Sequence, residues 1–113
     1  MKQIITHLIL LFSISTYEQE ISGKWSGIIE SGKSEPVVFN FSFEKNGEKY
    51  STVIDIPVMR VADLKPKETI FSAEKLVVNG ANLGFKYLGT FKKELQQIEG
   101  TFTEGINALP LIL

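Results

Sequence analysis

The chain has 113 residues, 43% of them apolar, and a formal charge of -1. That length admits one domain with a modest core, the apolar content excludes a disordered tail, and the near-neutral charge argues against nucleic-acid binding. With no cysteine in the chain, disulfides, thiol catalysis and thiolate metal sites are excluded.

Lys2 opens the chain, and an apolar run follows from Ile4 to Ile14, broken by Thr6, His7 and Ser13. A short basic region ahead of an apolar core resembles a secretory signal peptide, and the run is too short for a membrane span. Ser13 and Ser15 put small residues at the third and first positions before a cut after Ser15. The expectation is a signal peptide over residues 1–17, export to the periplasm or the exterior, and a single domain over residues 21–113. The competing reading is a buried N-terminal strand or helix. Lipid anchoring is disfavoured because no acceptor cysteine exists. Loss of residues 1–17 would remove His7, the only histidine, and Lys2, leaving eleven basic and thirteen acidic residues and a formal charge of -2.

The remainder reads as strands. Trp25, Gly27 and Ile29 alternate with Ser26, Ile28 and Glu30, and residues 31–34 supply a turn. From Val37 to Glu44 the alternation is clearest. Val37, Phe39, Phe41 and Phe43 fall on one face, with Val38, Asn40, Ser42 and Glu44 on the other, as a half-buried strand requires. Asn46-Gly47 signals a hairpin, after which Tyr50, Thr52 and Ile54 share a face. Between Pro57 and Pro66 the pattern loosens, and one helical turn, an irregular crossing and an edge strand all remain open. Strands resume at Glu68–Ser72 and Lys75–Val78, with Asn79-Gly80 expected to turn the chain. Phe85, Tyr87, Gly89 and Phe91 line one face of the next strand, and Lys92–Gln96 makes a polar turn. Ile98, Gly100 and Phe102 then oppose Glu99, Thr101 and Thr103. Beyond a bend at Gly105 and Asn107, Leu109, Leu111 and Leu113 can point inward, with Pro110 confined to an edge or bulge. No stretch carries a sustained helical stripe. The fold expected is all-β: seven or eight short antiparallel strands closed as a barrel or packed as a sandwich.

Little in this sequence supports catalysis. A serine nucleophile needs an activating base, and the exported chain would have no histidine. No Gly-x-Ser-x-Gly elbow is present, and no Ser-x-x-Lys has supporting motifs. Thr90-Phe91-Lys92-Lys93, the formal threonine analogue, reads as the end of a strand. Asp55 and Glu99 are the carboxylates to examine for paired acid–base work, and each reads more simply as an exposed strand residue. Asp55, Asp63 and Glu68 could meet a hard cation, but no loop has calcium-binding spacing. No glycine-rich loop enters a helix to cradle a phosphate. A basic patch of Lys86, Lys92 and Lys93 is diluted by Glu94 and Glu99. The expectation is a non-enzyme without cofactor, metal or nucleic-acid partner.

The aromatic residues are more informative. Trp25, the only tryptophan, could stack on a ligand in a barrel mouth, but reads better as a plug across one end, with glycines allowing close approach. Phe39, Phe41, Phe43, Phe85, Tyr87, Phe91 and Phe102 form an inner set that either fills the interior or lines an apolar pocket. A filled core with at most a shallow mouth is the favoured form. Were a ligand bound, the residues expected to border it are Trp25, Phe39, Phe41, Tyr87 and Phe102.

Taken together, Gly23-Lys24-Trp25-Ser26-Gly27, Val38-Phe39-Asn40-Phe41, Tyr87-Leu88-Gly89-Thr90-Phe91, the run from Ile98 to Gly105 and Leu109-Pro110-Leu111 are familiar. Over residues 21–113 the chain resembles the small lipocalin-like β-barrel module found ahead of bacterial α/β-hydrolase or serine-hydrolase domains, especially in Bacteroidetes-type exported proteins. The module usually has tryptophan where Phe102 stands, and more glycine than Ile56 to Lys67 holds. The hydrolase that normally follows is absent, which implies a free-standing module or a piece of a longer hydrolase. Two functions are then expected. The first is an accessory or interaction module, forming a homodimer or packing on a hydrolase-like partner; the second is a binder of a small apolar ligand in the barrel.

Overall fold

The structure is a computed structural model and describes residues 20–30 and 35–113. Among these, nine strands form one sheet: β1 (Gly23–Ile29), β2 (Val37–Asn46), β3 (Lys49–Ile56), β4 (Val61–Leu64), β5 (Glu68–Ser72), β6 (Lys75–Gly80), β7 (Phe85–Lys92), β8 (Gln97–Glu104) and β9 (Asn107–Ile112). Eight follow in the order β1-β2-β3-β5-β6-β7-β8-β9, every neighbouring pair antiparallel, with β4 added beside β3. The result is the expected all-β fold, a nearly closed antiparallel barrel. The segment expected to be a signal peptide, residues 1–17, and the turn expected at 31–34 lie outside the described residues.

The inner face is what the alternation predicts. Phe39, Phe41 and Phe43 are buried on β2, Phe85, Tyr87 and Phe91 on β7, Ile98 and Phe102 on β8 and Leu111 on β9. They form one continuous core with Ile54, Leu76 and Val78. Each such side chain contributes about 1.5–3 kcal/mol by leaving water.

Closure depends on two joints. At the first, β1 meets β9: a Cβ on Gly27 would lie 2.4 Å from the Ile112 carbonyl oxygen, so only glycine lets the two backbones approach this closely. No ladder is formed across this joint. Leu113 and Ile98 exchange both backbone hydrogen bonds, at 2.8 and 3.0 Å. Hydrogen-bonded and non-bonded pairs alternate along an antiparallel ladder, so Pro110, three residues earlier and opposite Thr101, faces the joint rather than β8. Its missing N–H costs the ladder nothing and blunts the free edge. At the second joint β5 meets β3 through a single residue pair, Tyr50 with Thr69. There the buried hydroxyls of Thr52 and Thr69 bond at 2.6 Å.

The segment after Pro57 resolves into a 3-10 turn, Pro57–Met59, followed by β4 laid back on β3 with a shifted register. Arg60 and Asp63 take φ of 57° and 58°, conformations that bend the chain twice within four residues. Asp55 fixes the second bend by accepting the Asp63 N–H at 2.8 Å.

Asn79-Gly80 departs from expectation. Both residues belong to β6, opposite Lys86 and Phe85, and the turn falls on Ala81–Leu83 with Gly84 at φ 89°. Gly80 is needed for space instead of bending, since a Cβ there would stand 2.4 Å from the Phe85 ring. Asn79 helps to start the turn, its side-chain oxygen accepting the Ala81 N–H at 3.0 Å.

Candidate functional site: an apolar mouth at one end of the barrel

The strands' aromatic residues sort by height. At the end where β1, β3, β6 and β8 finish, Phe39, Phe85 and Phe102 form a layer, with Phe102 5.0 Å from both other rings and stacked on Phe85 at 19°. Phe41 and Tyr87 form the next layer inward, 5.4 Å apart and fully buried. At the opposite end Trp25 stands edge-on to Phe91 at 6.1 Å, Phe91 to Phe71 at 6.1 Å and Phe71 to Tyr50 at 5.9 Å.

At the Trp25 end the centre of the opening is plugged, and a wider, more polar hollow of about 760 Å³ lies beside the plug among Lys45, Glu48, Tyr50, Phe71 and Glu74. The indole N–H donates to the Ile21 carbonyl at 2.8 Å, folding the segment before β1 across the opening, and the Ile21 N–H reaches the Tyr50 hydroxyl at 3.4 Å. Ile21 is completely buried.

The Phe39 end is not plugged. A cavity of about 270 Å³ opens there, floored by Phe39, Phe85 and Phe102. Ile54 and Ile56 of β3, Val61 and Leu64 of β4, Met59 and Leu83 form its walls. The two 3-10 turns contribute Met59 and Leu83 to those walls, and the Asn82 side-chain amide donates to the Lys65 carbonyl at 3.2 Å, tying the second turn to the segment that follows β4. Val58, Met59, Leu83 and Ile106 stay exposed around the opening, Ile106 at 99%.

One charged side chain lines this cavity, Glu104. It continues the inner face of β8 after Ile98, Gly100 and Phe102. The β8 alternation carries this signal one step past Phe102, where a count that stops at the last aromatic misses it.

Of the residues expected to border a ligand, the structure brings Phe39 and Phe102 together in the cavity floor. Phe41 and Tyr87 lie beneath them with no exposed surface, and Trp25 is at the opposite end. The Tyr87 hydroxyl donates to the Leu111 carbonyl at 2.7 Å, with the Ile98 carbonyl at 3.3 Å. Burial pushes its phenol well above the ordinary tyrosine range, so it stays a neutral donor.

The acid–base candidates do not meet: Asp55 is on β3 and Glu99 on β8, strands that do not pair. The Asp55 carboxylate is engaged with the Asp63 backbone. Among the described residues, no group of three or more histidine, aspartate or glutamate side chains could hold a metal ion, and no helix is long and apolar enough to cross a membrane.

The chain matches no protein-family model, no curated protein and no solved structure. Its fold agrees with barrel-type modules in general, and no matched relative ties it to a hydrolase-adjacent arrangement.

Proposed function

We propose that this chain is a non-catalytic binding module whose open end receives a small apolar ligand. The observation that carries this reading is the cavity of about 270 Å³ floored by three phenylalanines and walled by aliphatic side chains. Pockets that combine an apolar lining with few polar groups are where small ligands bind. The ligand is small because Phe41 and Tyr87 fill the barrel directly below. In a titration with 1-octanol followed by amide chemical shifts, saturable changes are expected at Phe39, Leu83, Phe85 and Phe102, with Trp25 unmoved. An absence of saturable change at that end would overturn the reading.

The accessory reading, a homodimer or a complex with a hydrolase-like partner, is favoured by a separate observation: Val58, Met59, Leu83 and Ile106 are exposed around the same end. An apolar rim of this kind suits coverage by another protein surface. Sedimentation of the chain should then show a dimer that Ile106→Asp with Met59→Asp dissociates; a monomer at all concentrations counts against self-association. The basic-then-apolar opening of the chain supports export to the periplasm or the exterior. Mass spectrometry of the chain from its exporting host tests this by showing whether residues 1–17 are lost.

A further inference from the structure

Among the described residues, the alternation of the strands places two charged side chains on the inner face of the barrel, Lys45 on β2 and Glu104 on β8. They sit at opposite ends and are treated differently. Lys45 lies 3.9 Å from the Glu20 carboxylate and over the Tyr50 ring at 5.9 Å, so the plugged end balances its own charge. The Glu104 carboxylate has no hydrogen-bond or ion-pair partner among the described residues, yet it lines a cavity that is otherwise aliphatic and aromatic. Its register neighbours on the two flanking strands are Phe85 and Asn107, neither of them a cation. An anionic group held at the edge of an apolar hollow favours a cation or a strong donor at that height and disfavours a second anion.

Resting on the ligand reading above, we propose that the mouth selects an amphiphile with a cationic amine head, its alkyl part on Phe39, Phe85 and Phe102 and its ammonium at Glu104. The cavity of about 270 Å³ equals the liquid volume of roughly nine waters and suits a chain of about eight carbons. Arg60 is the cation of the adjoining turn, but the cavity is lined by its neighbours Met59 and Val61 and not by Arg60 itself. A carboxylate head therefore meets Glu104 before it meets a positive charge.

The test compares octylamine, 1-octanol and octanoate, each titrated into the purified chain at pH 7 and followed by amide shifts at Phe85, Phe102 and Glu104. Octylamine should bind about fivefold more tightly than octanol, the worth of one exposed ion pair, and octanoate more weakly than octanol. The amine preference should shrink in high salt and vanish in Glu104→Gln, where octylamine and octanol should bind alike. Equal binding of all three overturns the head-group assignment and leaves the apolar mouth standing. An amine preference that survives Glu104→Gln also overturns it, by placing the head elsewhere. Failure of all three to bind overturns both readings together.

Discussion

The two ends of this barrel are made from the same alternating strands and differ in how the chain crosses them. At the Trp25 end, a segment crosses the opening and is fastened by the indole N–H to the Ile21 carbonyl at 2.8 Å. Aromatic rings meet edge-to-face behind it. At the Phe39 end, two short 3-10 turns stand beside the opening instead of across it, and their aliphatic side chains remain in water. One end contributes to stability, and the other holds apolar surface that folding does not cover. A small domain can keep an open end only if the rest of its interior is filled, and the Phe41–Tyr87 layer separates the two functions.

The sharpest way to break this comparison is to truncate one large side chain at each end. Trp25→Ala removes the packing on Phe91 and the bond to Ile21, and should cost about 3 kcal/mol in urea unfolding. Met59→Ala, on an exposed wall of the mouth, should stay within about 0.5 kcal/mol. Comparable losses at both ends would show that the mouth is part of the stabilising core.

The dividing layer is probed by Tyr87→Phe. Loss of the bond to the Leu111 carbonyl should cost about 1–1.5 kcal/mol, because that buried carbonyl loses its side-chain donor. Burial raises the folded-state titration of Tyr87 above its unfolded value. Its contribution is therefore fully present below about pH 10 and is lost as the pH rises beyond that value. Denaturation midpoints between pH 7 and 11 should fall above pH 10 in the native chain, with a smaller fall in Tyr87→Phe.

The smallest effect is expected at a turn of the plugged end. Ala73 and Glu74 join β5 to β6 with φ of 52° and 69°, the double positive φ of a type I′ hairpin that asparagine and glycine adopt without strain. Replacing the pair by Asn-Gly should stabilise the chain by about 0.5–1 kcal/mol, read as a higher urea midpoint, without altering octanol binding. A change in binding would mean that the two ends are coupled.

The strands and their inner faces were legible in the sequence wherever alternation ran unbroken, from Val37 to Glu44 and from Phe85 to Phe91, because period two is a local property of an extended chain. Pro110 was legible as an edge residue for the same reason, since its missing donor constrains it wherever the strand lies. Local pattern was silent on height. Phe39 and Phe41 occupy equivalent positions on one strand face, yet one floors an open cavity and the other is sealed against Tyr87, because barrel register alone sets which ring each meets. Gly80 carried an ambiguous signal, as glycine serves a turn and a close contact equally, and only the position of Phe85 decided between them. The segment from Pro57 to Leu64 was decided almost wholly by tertiary structure. Its left-handed residues are an arginine and an aspartate; the Pro57 carbonyl holds the first by accepting its N–H, and a carboxylate on the neighbouring strand holds the second. Alternation thus determined that the chain is all-β with an aromatic interior, because period two is local, whereas tertiary pairing decided that the sheet closes as a barrel and which end of it is left open.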